Sequence, residues 1–131
     1  MKKALHILGF FATLNLLFFN LTSTFAGSLI LEVPDNPEPI TQTLAYQCDA
    51  KTNKERIEII YFNAGDISLA DFKWKGDRII AAHVTTPTGI KYAGAQYILW
   101  KTNTEAILYD LMHDPEEKNP LLCKEESTLL F

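Results

Sequence analysis

The hydrophobic pattern divides the chain into an apolar N-terminal run, a proline-rich stretch and a series of short apolar segments. Residues 5–19 are almost wholly apolar, and residues 33–42 contain three prolines. Because proline cannot donate a ladder hydrogen bond, residues 33–42 predict a linker or extended arm rather than a core strand. After Gly27 no 3.6-residue apolar stripe of helical length appears.

From Leu44 onward, runs rich in β-branched and aromatic residues alternate with turn signals. The runs lie at residues 44–48, 56–62, 67–74, 79–84, 97–100 and 107–111, with a further short run at Tyr92. Lys75-Gly76-Asp77 is a hairpin-like turn signal between the third and fourth runs. Regular turn punctuation is typical of a sandwich or barrel, and closure into a small antiparallel barrel removes exposed sheet edges. The pattern therefore predicts an all-β fold.

The N-terminal run has the layout of a secretory signal. Lys2 and Lys3 precede the apolar run, and Thr24-Phe25-Ala26 places small residues before a cut between Ala26 and Gly27. The run is short for a membrane span, although an uncleaved N-terminal anchor is the alternative and would tie the protein to a membrane. No cysteine lies near the cut, so we do not expect a lipoprotein. The predicted location is periplasmic or secreted.

The predicted organisation is a signal peptide at residues 1–26, a Pro-rich arm at 27–43 and a β domain at 44–131. Composition adds two constraints: the 131 residues are 47% apolar and 21% charged, which indicates one folded domain. Loss of residues 1–26 removes two lysines and takes the net charge from −4 to −6. An acidic chain without a basic cluster does not indicate a nucleic-acid binder.

The chain contains two cysteines, Cys48 and Cys123. In an oxidising compartment two cysteines usually pair, and the bridge would close most of the mature chain into one loop. Two free buried thiols or a metal pair are the alternatives, but a metal site would need more ligands than the neighbouring sequence offers.

Motifs that indicate an enzyme are absent from the sequence. There is no Gly-rich phosphate loop, no His-Glu-x-x-His and no Gly-x-Ser-x-Gly. His83 ends a predicted strand and is interpreted as structural. His113, Asp114 and Glu116 lie too close together in a Pro-containing turn to converge on a metal. We expect no catalytic residues, no metal and no cofactor.

A more specific pattern is an ordered set of short segments. Tyr46-Gln47-Cys48 opens it, Thr88-Gly89-Ile90-Lys91-Tyr92 and Tyr97-Ile98-Leu99-Trp100 follow, and Glu105-Ala106 and Cys123 close it. Their order and spacing resemble the family of bacterial inhibitors of c-type lysozyme, in its membrane-bound (MliC) and periplasmic (PliC) forms. The resemblance spans residues 44–123.

The resemblance implies a fold and a mode of action. The family's fold is a small antiparallel β-barrel of about eight strands stapled by one disulfide, whose positions match Cys48 and Cys123. Its members push a loop and a neighbouring strand turn into the lysozyme cleft. Two motifs carry this, Ser-Gly-x-x-Tyr and Trp-x-Lys-Gly, whose serine hydroxyl and lysine ammonium reach the two catalytic carboxyl groups.

This sequence departs from both motifs. Thr88 stands at the serine position, Thr102 at the lysine position, and Asn103 at the second glycine position. We expect Thr88 to enter the cleft and either Lys101 or Lys91 to supply the charge. Tyr92 and Trp100 are interpreted chiefly as packing residues that shape the loop. The predicted contacting set is Thr88, Gly89, Lys91, Tyr92, Lys101 and Thr102.

The implied partner is a c-type lysozyme, a basic protein whose charge complements the acidic mature chain. The alternative is an exported barrel that binds another ligand or host protein without inhibiting lysozyme. The two interpretations differ in what they need. An inhibitor needs Thr88 exposed on a protruding loop with an ammonium nearby, and a ligand-binding barrel needs an open, apolar interior. The sequence does not indicate the oligomeric state.

Overall fold

The computed structural model describes residues 27–127, and the predicted signal peptide lies outside them. All eight strands lie in the unit Glu32–Phe131. They are β1 (Ile40–Asp49), β2 (Lys54–Ala64), β3 (Ile67–Trp74), β4 (Asp77–Val84), β5 (Ile90–Gly94), β6 (Tyr97–Lys101), β7 (Glu105–Asp110) and β8 (Leu121–Glu125). Residues 27–31 have exposed side chains and no helix or strand. In the described part of the chain, no helix has the length and hydrophobicity to cross a bilayer.

The strands form a closed antiparallel barrel in sequence order, because β8 pairs back onto β1. Cys48 of β1 lies opposite Cys123 of β8, and the two form a disulfide across this closing seam. The predicted all-β barrel of eight strands with one disulfide is therefore confirmed.

Alternation along each strand fills the barrel. In β2 the side chains of Ile57, Ile59 and Tyr61 are buried, and residues between them face outward. The same period of two makes β3 and β4 contribute Phe72 and Ile79 to the core. Because large aromatic and aliphatic side chains occupy the interior, the barrel is a packed core.

A tight turn joins β3 to β4 at the glycine where the sequence predicted a hairpin turn. Lys75 and Gly76 both have positive φ, at 51° and 84°, and connect Trp74 to its partner Asp77. This is the geometry that two-residue hairpin turns require. The predicted Lys75-Gly76-Asp77 turn is therefore found in the fold.

The first and last strands differ from the sequence expectation. β1 begins at Ile40, inside the segment 27–43 that the sequence assigned to the arm, so the barrel includes residues 40–43 as well. These residues follow Pro39, the last of the three prolines in the arm, and pair with β2, but their side chains are exposed. Hydrophobic patterning cannot detect a strand that buries nothing. β8 was not predicted as a run, because it is short and buries fully only Cys123.

Candidate functional site

The candidate site lies at the end of the barrel formed by the β4–β5 loop and the β6–β7 turn. Pairing between β4 and β5 ends at Val84 and Lys91, so residues 85–89 project beyond the ladder. Thr88 and Gly89 are exposed in this loop. The expectation of a protruding loop with Thr88 at its surface therefore agrees with the geometry.

Gly89 packs against the indole ring of Trp100. Its φ is +76°, a left-handed conformation, and a Cβ added there would lie 3.3 Å from Cζ3 of Trp100. A larger residue would meet both backbone strain and the ring. The indole of Trp100 is half-buried on the outer face of β6, so it serves as a platform for the loop rather than as part of the inner core.

The side chain of Lys91, in β5, lies over the same Trp100 ring. Lys91 and Trp100 are cross-strand partners, and the Lys91 ammonium lies 5.4 Å from the centroid of the indole ring. A cation over an aromatic face is attracted by the ring's quadrupole. Gly89 and the Lys91 charge are thus gathered around one side chain on the outer face.

Lys101 lies on the opposite face. Successive strand residues alternate, so Lys101 shares the inner side of β6 with the buried Leu99. Its ammonium is 5.2 Å from the ring centroid of Tyr61, at the mouth of the barrel. The two lysines that the sequence offered as charge donors are therefore separated by the sheet.

Tyr92 lies on the inner face of β5, in the barrel interior. Its side chain is 3% exposed, and its ring packs against Tyr61 with centroids 5.7 Å apart. The Tyr92 hydroxyl hydrogen-bonds to Ser68 at 3.0 Å, and Ser68 donates to Asn63. The place of Tyr92 in the predicted contacting set stays a prediction, while in the free protein its ring packs in the core.

Thr102 shapes the β6–β7 turn. Its backbone N–H donates to the Glu105 carbonyl at 2.9 Å, and its hydroxyl accepts the Glu105 N–H at 2.9 Å. The exposed threonine is thus used to close the turn, which is ordinary turn chemistry for a hydroxyl residue. A threonine carries no charge, so this position cannot replace the lysine that the family motif has here.

Two features of the site were missed in the sequence. Thr86 shares its one hydroxyl proton between the carbonyl oxygens of Thr88 and Gly89, at 2.7 and 3.0 Å. The Ser68–Asn63 link that supports Tyr92 was also missed. A threonine just before Pro87 is a local turn signal that could have indicated the first. The second depends on pairing between β2 and β3 and has no local signal.

Two tyrosines in the barrel interior stay neutral. The hydroxyls of Tyr46 and Tyr61 hydrogen-bond at 3.2 Å inside the barrel. Burial raises the pKa of both phenols, since loss of solvent disfavours the phenolate. The barrel mouth at which Lys101 lies therefore has the neutral ring of Tyr61 beneath it.

The opposite end carries the other residues considered as a site. His113 Nδ1 lies 2.9 Å from an Asp110 carboxylate oxygen, and the Asp114 carboxylate accepts two backbone N–H groups from further along the β7–β8 loop. Glu116 pairs with Lys118. These contacts organise the loop. Across residues 27–127, no group of three or more His, Cys, Asp or Glu side chains is arranged to hold a metal ion.

The geometry defines a small, disulfide-closed barrel that presents one loop on an aromatic platform. A family model described as membrane-bound lysozyme-inhibitor of c-type lysozyme matches residues 46–117. The chain belongs to this family, MliC. Its members are named as inhibitor proteins and not as enzymes. Their description as membrane-bound indicates that the family is exported.

Two relatives and one solved structure support the assignment. A membrane-bound lysozyme inhibitor of C-type lysozyme from Pseudomonas aeruginosa is 31% identical over 96 residues, which is 72% of this chain and 73% of the relative. A protein of the same name from Cupriavidus necator is 32% identical over 74 residues, which is 56% of this chain and 57% of the relative. The crystal structure of P. aeruginosa MliC in complex with hen egg white lysozyme matches with a TM-score of 0.62 and 29% identity, covering 79% of this chain and 100% of that one.

Proposed function

We propose that this protein inhibits a c-type lysozyme by inserting the 85–89 loop into the enzyme's active-site cleft, and so protects peptidoglycan. The observation that carries the proposal is the exposed Thr88 beside a glycine seated on Trp100, with the Lys91 ammonium over the same ring. The family membership and the lysozyme complex of the P. aeruginosa relative support the choice of partner.

The chemistry of the cleft suits these groups. A lysozyme active site holds one protonated and one ionised carboxyl group. The Thr88 hydroxyl can donate to or accept from either state, and an ammonium makes a charge-assisted contact with the ionised one. A loop that occupies both carboxyl groups excludes the sugar chain from the site.

Lys91 is the proposed source of the positive charge. It lies on the outer face around Trp100, as Gly89 does, whereas Lys101 lies on the inner face over Tyr61. Thr102 stands where the family motif has lysine and spends its hydroxyl on the β6–β7 turn. The charge would then enter the cleft from the loop side rather than from the turn.

The overall charge favours encounter with such a partner. The mature chain carries −6, and c-type lysozymes are generally basic, so long-range attraction would raise the association rate more than the affinity. The Lys91 contact would be short-range. It would join a positive charge of this chain to a carboxylate of the lysozyme, whereas the long-range attraction is between a negative chain and a positive enzyme. A salt titration is therefore expected to slow association while leaving the loop contacts largely in place.

We further propose that residues 1–26 are removed and that the mature protein is periplasmic or secreted without a lipid anchor. The absence of cysteine near the cut supports this, although the relatives are named membrane-bound. Intact-mass analysis of the protein recovered from soluble and membrane fractions tests it. A soluble species beginning at Gly27 is expected, and a membrane species retaining residue 1 would contradict it.

An alternative function is binding of another ligand by the same barrel. An open apolar interior would favour it, but here the interior is filled by Tyr46, Ile59, Tyr61 and Leu99, each no more than 2% exposed. A small apolar ligand therefore finds no space among the described core residues. Binding of another host protein by the same loop is the function that would remain if the test below shows no inhibition of a c-type lysozyme.

The test is inhibition of cell-wall lysis by purified, oxidised mature protein. A c-type lysozyme should be inhibited and a g-type lysozyme should not. Thr88→Trp should abolish inhibition because the bulky ring does not fit where a threonine enters a cleft. Thr52→Trp is the matched control, since Thr52 is an exposed threonine in the β1–β2 turn at the other end of the barrel. Equal inhibition by both variants would contradict insertion of this loop.

A further inference from the structure

Thr86 is the residue that holds the 85–89 loop together. It is half-buried, and its single hydroxyl proton is shared in a three-centre hydrogen bond between the carbonyl oxygens of Thr88 and Gly89, at 2.7 and 3.0 Å. Pro87 follows it and has no N–H to offer. Within residues 27–127, no backbone–backbone hydrogen bond outside the strands involves residues 85–89. Among the described residues, the backbone of this loop is therefore held by the hydroxyl of one side chain.

This shared hydrogen bond also decides which backbone groups the loop presents to a partner. It turns the carbonyl oxygens of Thr88 and Gly89 toward Thr86. Because C=O and N–H of a trans peptide point in opposite directions, the Gly89 N–H is directed away from Thr86. Carbonyl oxygens carry partial negative charge and would be repelled by carboxylates. Holding them inward suits a loop that enters an acidic cleft.

The loop is fixed from two sides in the unbound protein. Thr86 holds the backbone at residues 88 and 89, and Trp100 supports Gly89 from beneath, 3.3 Å from where a Cβ would lie. A loop already ordered in the free protein has less conformational entropy to lose on binding. Removal of one support should therefore weaken binding even if the removed group never contacts the partner.

We propose that Thr86 is a positioning residue for inhibition, which pre-forms the inhibitory loop without itself contacting lysozyme. The proposal rests on the proposed function, because it concerns the affinity of that same loop. It also makes a statement about the free protein that needs no lysozyme. The two statements can be measured separately.

The experiment compares Thr86→Val, Thr86→Ser and Thr41→Val in the mature protein. Valine keeps the shape of threonine and removes the hydroxyl, and serine keeps the hydroxyl. Thr41 is an exposed threonine in β1 and serves as the control for the substitution itself. Thermal unfolding of each variant establishes that the barrel is intact.

Two readouts are taken. The inhibition constant for a c-type lysozyme should weaken about five- to tenfold in Thr86→Val, the value of one lost hydroxyl donor, and stay near the parent in the other two. In the free protein, backbone NMR order parameters of Thr88 and Gly89 should fall from about 0.85 toward about 0.6 in Thr86→Val only.

The outcomes separate cleanly. Weaker inhibition with lower order parameters supports the proposal, and rescue by Thr86→Ser excludes a purely steric effect. Unchanged order parameters, or a loosened loop that inhibits as well as the parent, would overturn it. If the parent protein does not inhibit lysozyme, the proposed function fails. The order parameters of the free protein still show whether Thr86 holds the loop, and the inhibitory role of Thr86 then falls with the function.

Discussion

The inner and outer faces of β5 and β6 carry different halves of the same recognition pattern. On the inner face, Tyr92 and Lys101 pack with Tyr61 in the barrel. On the outer face, the Trp100 ring lies against Gly89 and the Lys91 ammonium lies over the same ring. Residues 91 and 92, like residues 100 and 101, are neighbours in sequence and lie on opposite sides of the sheet.

This division teaches that a short motif can combine two separate physical roles. Inner-face residues exist to fill and close the barrel, so their substitution should change the free energy of unfolding. Outer-face residues lie around Trp100, which contacts a loop that has few other contacts. Their substitution should therefore change inhibition and leave the barrel folded. The predictions below perturb the barrel interior or the outer face and measure the free energy of unfolding, inhibition or both.

Removal of the disulfide is expected to have the largest effect, and it changes the barrel interior at the seam between β1 and β8. Cys48 and Cys123 are 75 residues apart in sequence and both are buried. Loss of such a crosslink in Cys48→Ala/Cys123→Ala should lower the free energy of unfolding by about 4 kcal/mol, chiefly through the unfolded chain. Urea unfolding measures it. At a temperature where the variant is still folded it should inhibit as the parent does. Weak inhibition by a fully folded variant would contradict the separation of residues that stabilise the barrel from residues that inhibit.

Alkaline pH should unfold the barrel through its buried tyrosines. Burial raises the pKa of Tyr46 and Tyr61 above the ordinary value of 10.0, so the folded state keeps their protons longer. Above pH 10 the unfolded state binds fewer protons than the native state, and stability must fall as pH rises. Below pH 10 the two phenols should contribute no pH dependence.

Urea midpoints at neutral and alkaline pH measure this effect. The control is Tyr46→Phe/Tyr61→Phe, which removes both partners of the hydroxyl pair and so leaves neither one unsatisfied. The double variant should lose less stability on alkalinisation than the parent. An identical loss in both proteins would assign the alkaline transition to other groups.

Gly89→Ala tests the outer face with a closely matched control. Gly89 and Gly76 have similar positive φ values, +76° and +84°, but only Gly89 would bring its new Cβ within 4 Å of a neighbour, the Trp100 ring. Both substitutions should destabilise the barrel to a similar degree, by about 1 kcal/mol. Gly89→Ala alone should weaken inhibition, by about tenfold or more, because the loop must leave its platform. Equal inhibition by the two variants would remove Trp100 from the proposed mechanism.

Most of the barrel could be predicted from the sequence because most strands carry their own signal. Runs such as 56–62 and 67–74 are dense in β-branched and aromatic residues, and Lys75-Gly76 indicates its turn. The ends were not predictable in this way. Residues 40–43 pair without burying side chains, and β8 is held by closure onto β1 rather than by its own pattern.

The site was predicted only in part, because its arrangement depends on register. The sequence offered Lys91 and Lys101 as alternatives, and only the pairing of Lys91 with Trp100 reveals which face each occupies. Trp100 and Tyr92 received the same packing interpretation, but one lies on the outer face and the other in the core. A shift of the β6 register by one residue would place Trp100 on the inner face and Lys101 on the outer face. Composition and residue spacing do not indicate the register.

The two lysines provide the finest test of the division, since each places an ammonium over an aromatic ring. Lys91→Gln should weaken inhibition about fivefold, the value of one exposed charge contact, and Lys91→Arg should restore it. Lys101→Gln should leave inhibition nearly unchanged and lower the free energy of unfolding by less than about 1 kcal/mol. Inhibition constants at low and moderate salt, with urea unfolding of each variant, measure both effects. If Lys101→Gln were the variant that lost inhibition, the charge would come from the barrel mouth, and the inner face would have to be counted as part of the contact surface.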